Sequence, residues 1–519
     1  MAFNSNSIAA ANAVGVQNQQ FKPGASVLPR KILVFGTYNP AITTVVDNVA
    51  IQVLSPEDAA SKFGQGYMIH QLVQQAFIGG QGTPVYVCPQ PEAAGAQAIG
   101  SISWTGSTGV LAGTLALYIA GERVAVSITA GMTVSQISDA VVAAINANAD
   151  LPVTAAKRTI TFETDLTSKS KGLYGNKIDV SFNWKLGDVF PVGVAHVVTA
   201  MTGGTGIPVL TTALNNLGTG ASQNSGFYTD VVHGYLTDTT TLDAFSNYNG
   251  TGDLFSGNYD KLVARPFRVM TGDTTPGSGG LSALIAITNA RLTDRTNGVV
   301  VVPGSPNHPS DIAALATGVM AYVNANIAEG HYIDRVLANV IPGAPADRWS
   351  DDYDNRNTAV LSGISPTIED AGTVDLQNVC SFYRPASVPV NSNGYRSMRN
   401  ISIVQNMLNA KKVNYAQEKW QGISIVGDVQ KVSAVASKAK ARDVNSVLDD
   451  EVALAESFAE NAWIYESDFT VNQLKQTGSI TIRPGALGFN VLSKYIFSGE
   501  GGIFDNQITF DISLAILGK

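Results

Sequence analysis

Lys31-Ile32-Leu33-Val34-Phe35-Gly36, Ser55-Pro56-Glu57-Asp58-Ala59-Ala60 and Pro84-Val85-Tyr86-Val87-Cys88, in that order, decide the fold class. The first is a short apolar run ended by glycine, the pattern of a buried strand. The second opens a helix, with Ser55 as N-cap and Pro56 in the first turn, where a missing N–H does no harm. Tyr67 to Phe77 predicts a second helix closed by Gly79-Gly80, and the third stretch predicts the next strand. Strand, helix and strand in alternation predict an α/β domain.

Outward from this unit the pattern changes over residues 95–185. Leu115–Ile119 and Arg123–Ile128 flank Ala120-Gly121-Glu122 as a hairpin. Thr133-Val134-Ser135-Gln136 starts a helix to about Ala147, and Arg158–Glu163 predicts a returning strand. The unit reads as a self-contained insertion and an outer decoration. After Gly203-Gly204 the α/β pattern resumes, with a buried strand over Gly298–Pro303, a helix from Asp311 to Ala328, and a strand or loop over Val360–Ile364.

The C-terminal end predicts a strand, and the N-terminal end reads either as a short strand or as a disordered leader. Thr509–Ile516 alternates so that Phe510, Ile512, Leu514 and Ile516 share one face of an extended segment. Ser498-Gly499-Glu500-Gly501-Gly502 ahead of it supplies a glycine hinge. Residues 1–20 carry no charged side chain, and Ile8, Val14 and Val16 stand at even spacing. A tethered terminal strand is what a chain needs to add a strand to a neighbour's sheet. The sequence therefore reads first as a building block.

With 519 residues, two to four domains are expected. Hydrophobic content of 45% marks a folded chain, while charged content of 14% falls well below the usual value of about 25%. A net charge of −8 argues against general nucleic-acid binding. Cys88 and Cys380 form neither a disulfide framework nor a metal motif. No apolar run approaches the ~20 residues of a membrane span, and Met1–Ser7 lacks the basic start of a signal peptide. A protein made and kept in the cytoplasm until assembly is expected.

Charge is segregated near the C-terminus. Residues 381–442 hold ten Lys or Arg against two acids, and residues 443–470 hold eight acids and no base. Val444, Val447, Leu448, Val452, Ala455 and Phe458 recur at helical spacing, which places the acidic block on an amphipathic helix. Solvated faces explain most such blocks. Opposite blocks on one subunit also suit head-to-tail contacts, and Lys431, Lys438, Lys440 and Arg442 are the candidates for a basic patch facing an inner partner or a neighbour's acidic face.

Signals of catalysis are weak. Phe35-Gly36 lacks the G-x-G-x-x-G continuation, and Gly79-Gly80-Gln81-Gly82 lacks the P-loop lysine. G-x-S-x-G, H-E-x-x-H and C-x-x-C are absent. His70, His196, His233, His308 and His331 are scattered, and Asp347, Asp351, Asp352 and Asp354 around Arg348 and Trp349 predict a capping or salt-bridged loop. Neither catalytic residues nor cofactor or metal ligands are assigned.

The order of motifs resembles the tail sheath proteins of contractile-tailed bacteriophages, especially the Mu-like branch. Phe21–Ala25 followed by Pro29–Gly36 resembles the family's opening turn and first core strand. Val53–Ala59 with Phe63-Gly64-Gln65-Gly66-Tyr67-Met68 resembles its next segment, with Tyr67 where serine is common. Gly113–Leu115, Ile119–Val124, Gly131–Thr133 and Leu151–Ala155 resemble the branch's inserted domain, and Gly172–Asp179 its G-x-x-G-N-x-I-D tract. The strand after Phe504-Asp505 fits its C-terminal arm. The resemblance covers most of the chain and is thinnest over residues 210–300 and 365–470.

That resemblance implies a multidomain α/β and α+β protein: an N-terminal linker arm (1–24), a central α/β domain (25–94 and 201–375), an inserted, smaller β-rich outer domain (95–200), a C-terminal inner domain (376–500) and a C-terminal linker arm (501–519). It implies a non-enzymatic subunit that forms stacked hexameric rings around an inner tail tube. Its partners would be its own copies, the tube protein, and baseplate and tail terminator proteins, with no nucleic acid, cofactor or membrane insertion. The assembled sheath would sit in the virion tail after assembly in the host cytoplasm. Another self-assembling shell protein and a cytoplasmic α/β enzyme with an unrecognised site are the alternatives.

Overall fold

In a computed structural model, which describes residues 27–105, 109–218, 227–252, 255–349, 352–386 and 394–499, the strand Ile32–Thr37 lies at the heart of a nine-stranded sheet, buried along its whole length. It pairs in parallel with Val85–Gln90 on one side and Asp230–His233 on the other. Arg268–Asp273, Asn297–Val301 and Ser365–Asp370 continue the parallel array. Antiparallel strands close both edges, Ile51–Val53 at one and Thr373–Leu376 with Arg335–Val336 at the other. The apolar runs read from the sequence are the strands buried on both faces, as a parallel sheet under helices demands.

The helix Pro56–Phe63 is capped by Ser55, whose hydroxyl accepts from Asp58 N, and carries proline in its first turn. Met68–Gly80 crosses the long helix Pro309–Asn326 in near backbone contact. A Cβ on Gly79 would lie 2.3 Å from the Leu315 carbonyl oxygen, and one on Gly318 2.6 Å from Gly80 N. The glycines that end the helix are therefore also its packing surface. Val360–Ile364 is the end of the helix Tyr353–Leu361 and a turn before the strand Ser365–Asp370.

Between the strands Val85–Gln90 and Asp230–His233 the chain builds two further sheets. One holds Ala195–Thr202, Gln97–Thr105, Thr164–Lys171 and Val153–Lys157 in that order, and the other Glu122–Ile128, Gly113–Ile119 and Val180–Phe182. The hairpin centred on Ala120-Gly121 forms as expected. Thr133 and Gln136 make a capping box at the start of the helix Val134–Ala147. The expected strand Arg158–Glu163 does not form. Those residues are the loop of the hairpin Val153–Lys157/Thr164–Lys171, with Phe162 at φ 56°. Arg158, bonded to Glu163 and Asp165, closes the loop and leaves Ile160 in solvent. Apolar alternation there marks no buried face. The way in and the way out run side by side, Thr205 N donating to Ala96 O at 3.1 Å. One apolar core continues from Ile32 and Leu72 into Leu117, Ile137 and Leu166, so this unit is packed onto the parallel sheet.

The rest of the chain packs as a mainly helical unit around Met398–Tyr415, Val444–Glu460 and Asp468–Leu474, with small apolar clusters about Trp463 and Leu474. The expected acidic helix spans Val444–Glu460 and buries Val447, Ala455 and Phe458. Mixed α/β architecture in several units is the result.

Candidate functional site

In open parallel sheets ligands bind where the strand order reverses, at the carboxyl ends of the strands. Here that point lies between Ile32–Thr37 and its two neighbours, and a side chain fills it. Met68 Sδ is 3.4 Å from Thr37 N, and a Cβ on Gly234 would fall 2.3 Å from that sulfur. His233 beside it is buried, which pushes its pKa down to about 3 and keeps the ring neutral. Burial pushes the Cys88 thiol up to about 12, away from reactive thiolate character. Cys88 and Cys380 are both buried, and neither is in a disulfide. Among the described residues no group of three or more His, Cys, Asp or Glu could hold a metal ion. Asp352 caps the helix Tyr353–Leu361 by accepting from Asn355 N, and Arg348 pairs with Glu369, the loop role expected for that cluster.

The helix Met398–Tyr415 gathers both ends of the described chain. Leu28 N donates to Asn406 Oδ1 at 2.9 Å, and the buried Arg30 guanidinium bonds to Gln405 and Ser402. Gln405 in turn donates to the carbonyls of Thr229 and Pro266, each at 3.0 Å, which fixes the helix under the amino ends of the sheet strands. Arg268 completes this polar layer, donating to Asp230 at 2.5 Å, to the Met398 carbonyl at 2.9 Å and to Asn324 at 2.8 Å. Burial pulls the Arg30 pKa down to about 10, which leaves it charged at neutral pH. At the other end of the chain Phe497 bridges to Ile464, and Arg399 holds Ser498 through its carbonyl at 2.8 Å and its hydroxyl at 2.7 Å. Ile8, Val14, Val16, Phe510, Ile512, Leu514 and Ile516 lie outside the described residues. The points from which they depart stand on one helix. Nothing in the sequence signals this, because Leu28 and Asn406 are 378 positions apart.

The basic patch sits on a thin lobe, residues 415–440, in which no residue is buried. The two-residue pairing of Ser424–Ile425 with Ala441–Arg442 ties it down. Lys431 is 84% exposed and 3.9 Å from Asp428, Lys438 donates to Gln430, and Lys440 reaches the Gln421 carbonyl at 3.4 Å. Arg442 is structural, donating to the carbonyls of Lys419 and Ala441 at 2.7 Å and lying over the Trp420 ring. The opposite blocks partly neutralise each other within the chain. Lys411 meets buried Glu451 at 2.8 Å, and Lys419 meets Asp450 at 2.7 Å. Asp449, Glu460, Glu466 and Asp468 remain exposed.

No family model matches the chain. Its sequence is 26% identical over 391 residues to the Mu-like prophage FluMu tail sheath protein of Haemophilus influenzae, covering 74% of each. The chain is thus similar to a Mu-like tail sheath protein over about three quarters of its length. Among solved structures it is similar to the sheath tail protein of Desulfitobacterium hafniense, at 10% identity and a TM-score of 0.41, covering 93% of this chain and 100% of the other. It is also similar to the PVC sheath of an extracellular contractile injection system in the contracted state, at 9% identity and 0.44, covering 98% and 100%.

Proposed function

We propose that this chain is the structural subunit of a contractile phage tail sheath, which polymerises as stacked hexameric rings around an inner tail tube and contracts to drive the tube through the host envelope. The relation to a Mu-like tail sheath protein over 391 residues carries the reading. The chain is a structural protein, not an enzyme. Within this proposal residues 1–24 and 501–519 are linker arms, each adding a strand to a different neighbour. Residues 25–94 with 201–375 form the central domain, 95–200 the outer domain and 376–500 the inner one. The subunit would assemble in the host cytoplasm with tube, baseplate and terminator proteins.

Two features of the fold support the arms. Both ends of the described chain leave from one rigid helix. The sheet Ile480–Ile482/Phe489–Val491 has only two strands among the described residues, with Leu487 and Leu492 exposed beside it. A two-stranded sheet is marginal alone and gains from added strands. Four or five backbone hydrogen bonds per arm with apolar burial contribute perhaps ~5 kcal/mol gross per junction, enough to keep subunits linked while interfaces between rigid cores exchange. Negative-stain electron microscopy of the purified protein tests the class. Tubes with a central lumen are expected, and a uniform small particle at concentrations that polymerise other sheaths would count against it.

A further inference from the structure

The two sheets of the inserted unit end in four edge strands, and three of them are protected. Val153–Lys157 packs beside the helix Val134–Ala147, and Asn146 of that helix donates to the Ala155 carbonyl at 2.8 Å and accepts from Ala155 N at 2.9 Å. Its last residue, Lys157, adds a charge that pairs with Asp139. Glu122–Ile128 opens on two exposed charged residues, Glu122 and Arg123, and Val180–Phe182 is only three residues long. Charge, short length and cover over the outer backbone groups are the usual ways a sheet edge is kept from pairing. Ala195–Thr202 lacks all three. It runs for eight residues, Ala-His-Val-Val-Thr-Ala-Met-Thr, with no Asp, Glu, Lys, Arg or Pro. Among the described residues its backbone makes no hydrogen bond beyond the pairing with Gln97–Thr105. A register irregularity between Thr199 and Thr202 confines regular pairing to Ala195–Thr199. Within that stretch His196 turns inward against Trp104, Phe182 and Phe190, whereas Ala195, Val197 and Thr199 are exposed, Val197 at 61%. An exposed, uncharged edge is a template for another strand.

We infer that Ala195–Thr199 is a self-association edge, which pairs antiparallel with the same strand of a second copy about a two-fold axis at Val197. The composition selects the occupant. When identical strands meet antiparallel, a charge at the centre faces its own copy and opposes pairing. This strand presents none. Val197 is the middle of the regular stretch, so centring there sets Val197 against its counterpart and Ala195 against Thr199. Small and β-branched side chains then meet on the exposed face, and both copies use the whole register. The pairing would join two four-stranded sheets into one continuous sheet. Such a contact is isologous and closes at two copies, so it is separate from the head-to-tail linkage proposed above.

The test is cysteine cross-linking and sedimentation of the full-length protein. Residues directly opposite in an antiparallel pair stand roughly 4.5–5.5 Å apart at Cα, within the roughly 4.4–6.8 Å that a disulfide spans. Val197→Cys should therefore give a covalent dimer under mild oxidation. Ile160→Cys, 88% exposed on the hairpin loop beside the opposite edge strand, should not. Cys88 and Cys380 are buried and supply no competing thiol. Val197→Lys sets two like charges face to face and should weaken dimerisation by about tenfold or more, with the melting temperature unchanged. Thr199→Lys, opposite Ala195, should weaken it by a smaller factor. Cross-linking reads out in subunits that build no tubes as well as in those that do, so its failure is distinguishable from failure of the sheath reading. Equal cross-linking of the two cysteine variants, cross-linking of neither, or lysine variants that dimerise like the parent would overturn the proposal.

Discussion

Asp230 and Asp311 are both buried aspartates, and their surroundings set them apart. Asp230 is answered by the Arg268 guanidinium and by the Thr229 hydroxyl at 2.7 Å. Asp311 stands in the first turn of Pro309–Asn326 with one oxygen unpartnered. Burial pushes its carboxyl up from the ordinary 3.8 to about 8. The folded chain therefore holds this proton more tightly than the unfolded chain does. The stabilisation is complete below about pH 4 and is lost as pH rises toward 8. Asp311→Asn removes the titration and replaces a carboxyl that burial keeps largely neutral below about pH 8. The melting temperature of the variant relative to the parent should thus climb between pH 4.5 and pH 8, and an unchanging difference would refute the burial argument.

Among the elements, the crossing of Met68–Gly80 with Pro309–Asn326 depends on absent side chains. Gly318→Ala would set a Cβ 2.6 Å from Gly80 N and 2.8 Å from the Ala76 carbonyl oxygen, both backbone atoms that cannot swing aside. Forcing the helices apart should cost about 1–3 kcal/mol, read as a lower denaturant midpoint with unchanged slope, whereas an equally stable variant would show that the pair is not tightly seated. Much of this layer was legible in the sequence, because strands buried under helices read as unbroken apolar runs and Ser55-Pro56 and Thr133–Gln136 are local capping signals. Arg158–Glu163 misled because Ile160 and Phe162 alternate like a strand, while the ion pairs that make the segment a loop join residues whose partnership alternation does not encode. The polar layer beneath Met398–Tyr415 was illegible for a related reason. Its bonds to Leu28 and Arg30 span 372 to 378 positions, and Gln, Asn and Ser carry no periodic signature. The basic lobe was readable only as composition. That Lys411 and Lys419 are consumed by Glu451 and Asp450 is a fact of packing.

For the whole molecule, the proposed linkage of a polymer through its ends makes two separable demands, a firm root and a free partner strand. Deleting residues 503–519 removes the proposed strand and leaves the root, since Arg399 and Ser498 remain. The truncated protein should melt within ~1 °C of the parent, as surface changes away from packed groups do, yet form no tubes under the electron microscope. Tubes from the truncation would refute the linker role. The basic lobe makes the complementary case for contacts that must let go. Lys438 and Lys440 project from a lobe with no buried residue, so reversing them to Glu should leave the melting temperature unchanged. Each exposed pair they make with an acidic partner contributes only ~0.2–1 kcal/mol, but a helical array repeats it in every subunit and salt screens it. Weak, repeated and screened contacts would suit a sliding surface in the proposed contractile sheath. Co-sedimentation of the double variant with tube protein, or with polymers of its own kind, should therefore fall relative to the parent at low salt, and the gap should close as salt is raised. A variant that co-sediments like the parent at every ionic strength would move the lobe to the outer, solvent-facing rim and leave the arms to carry assembly alone.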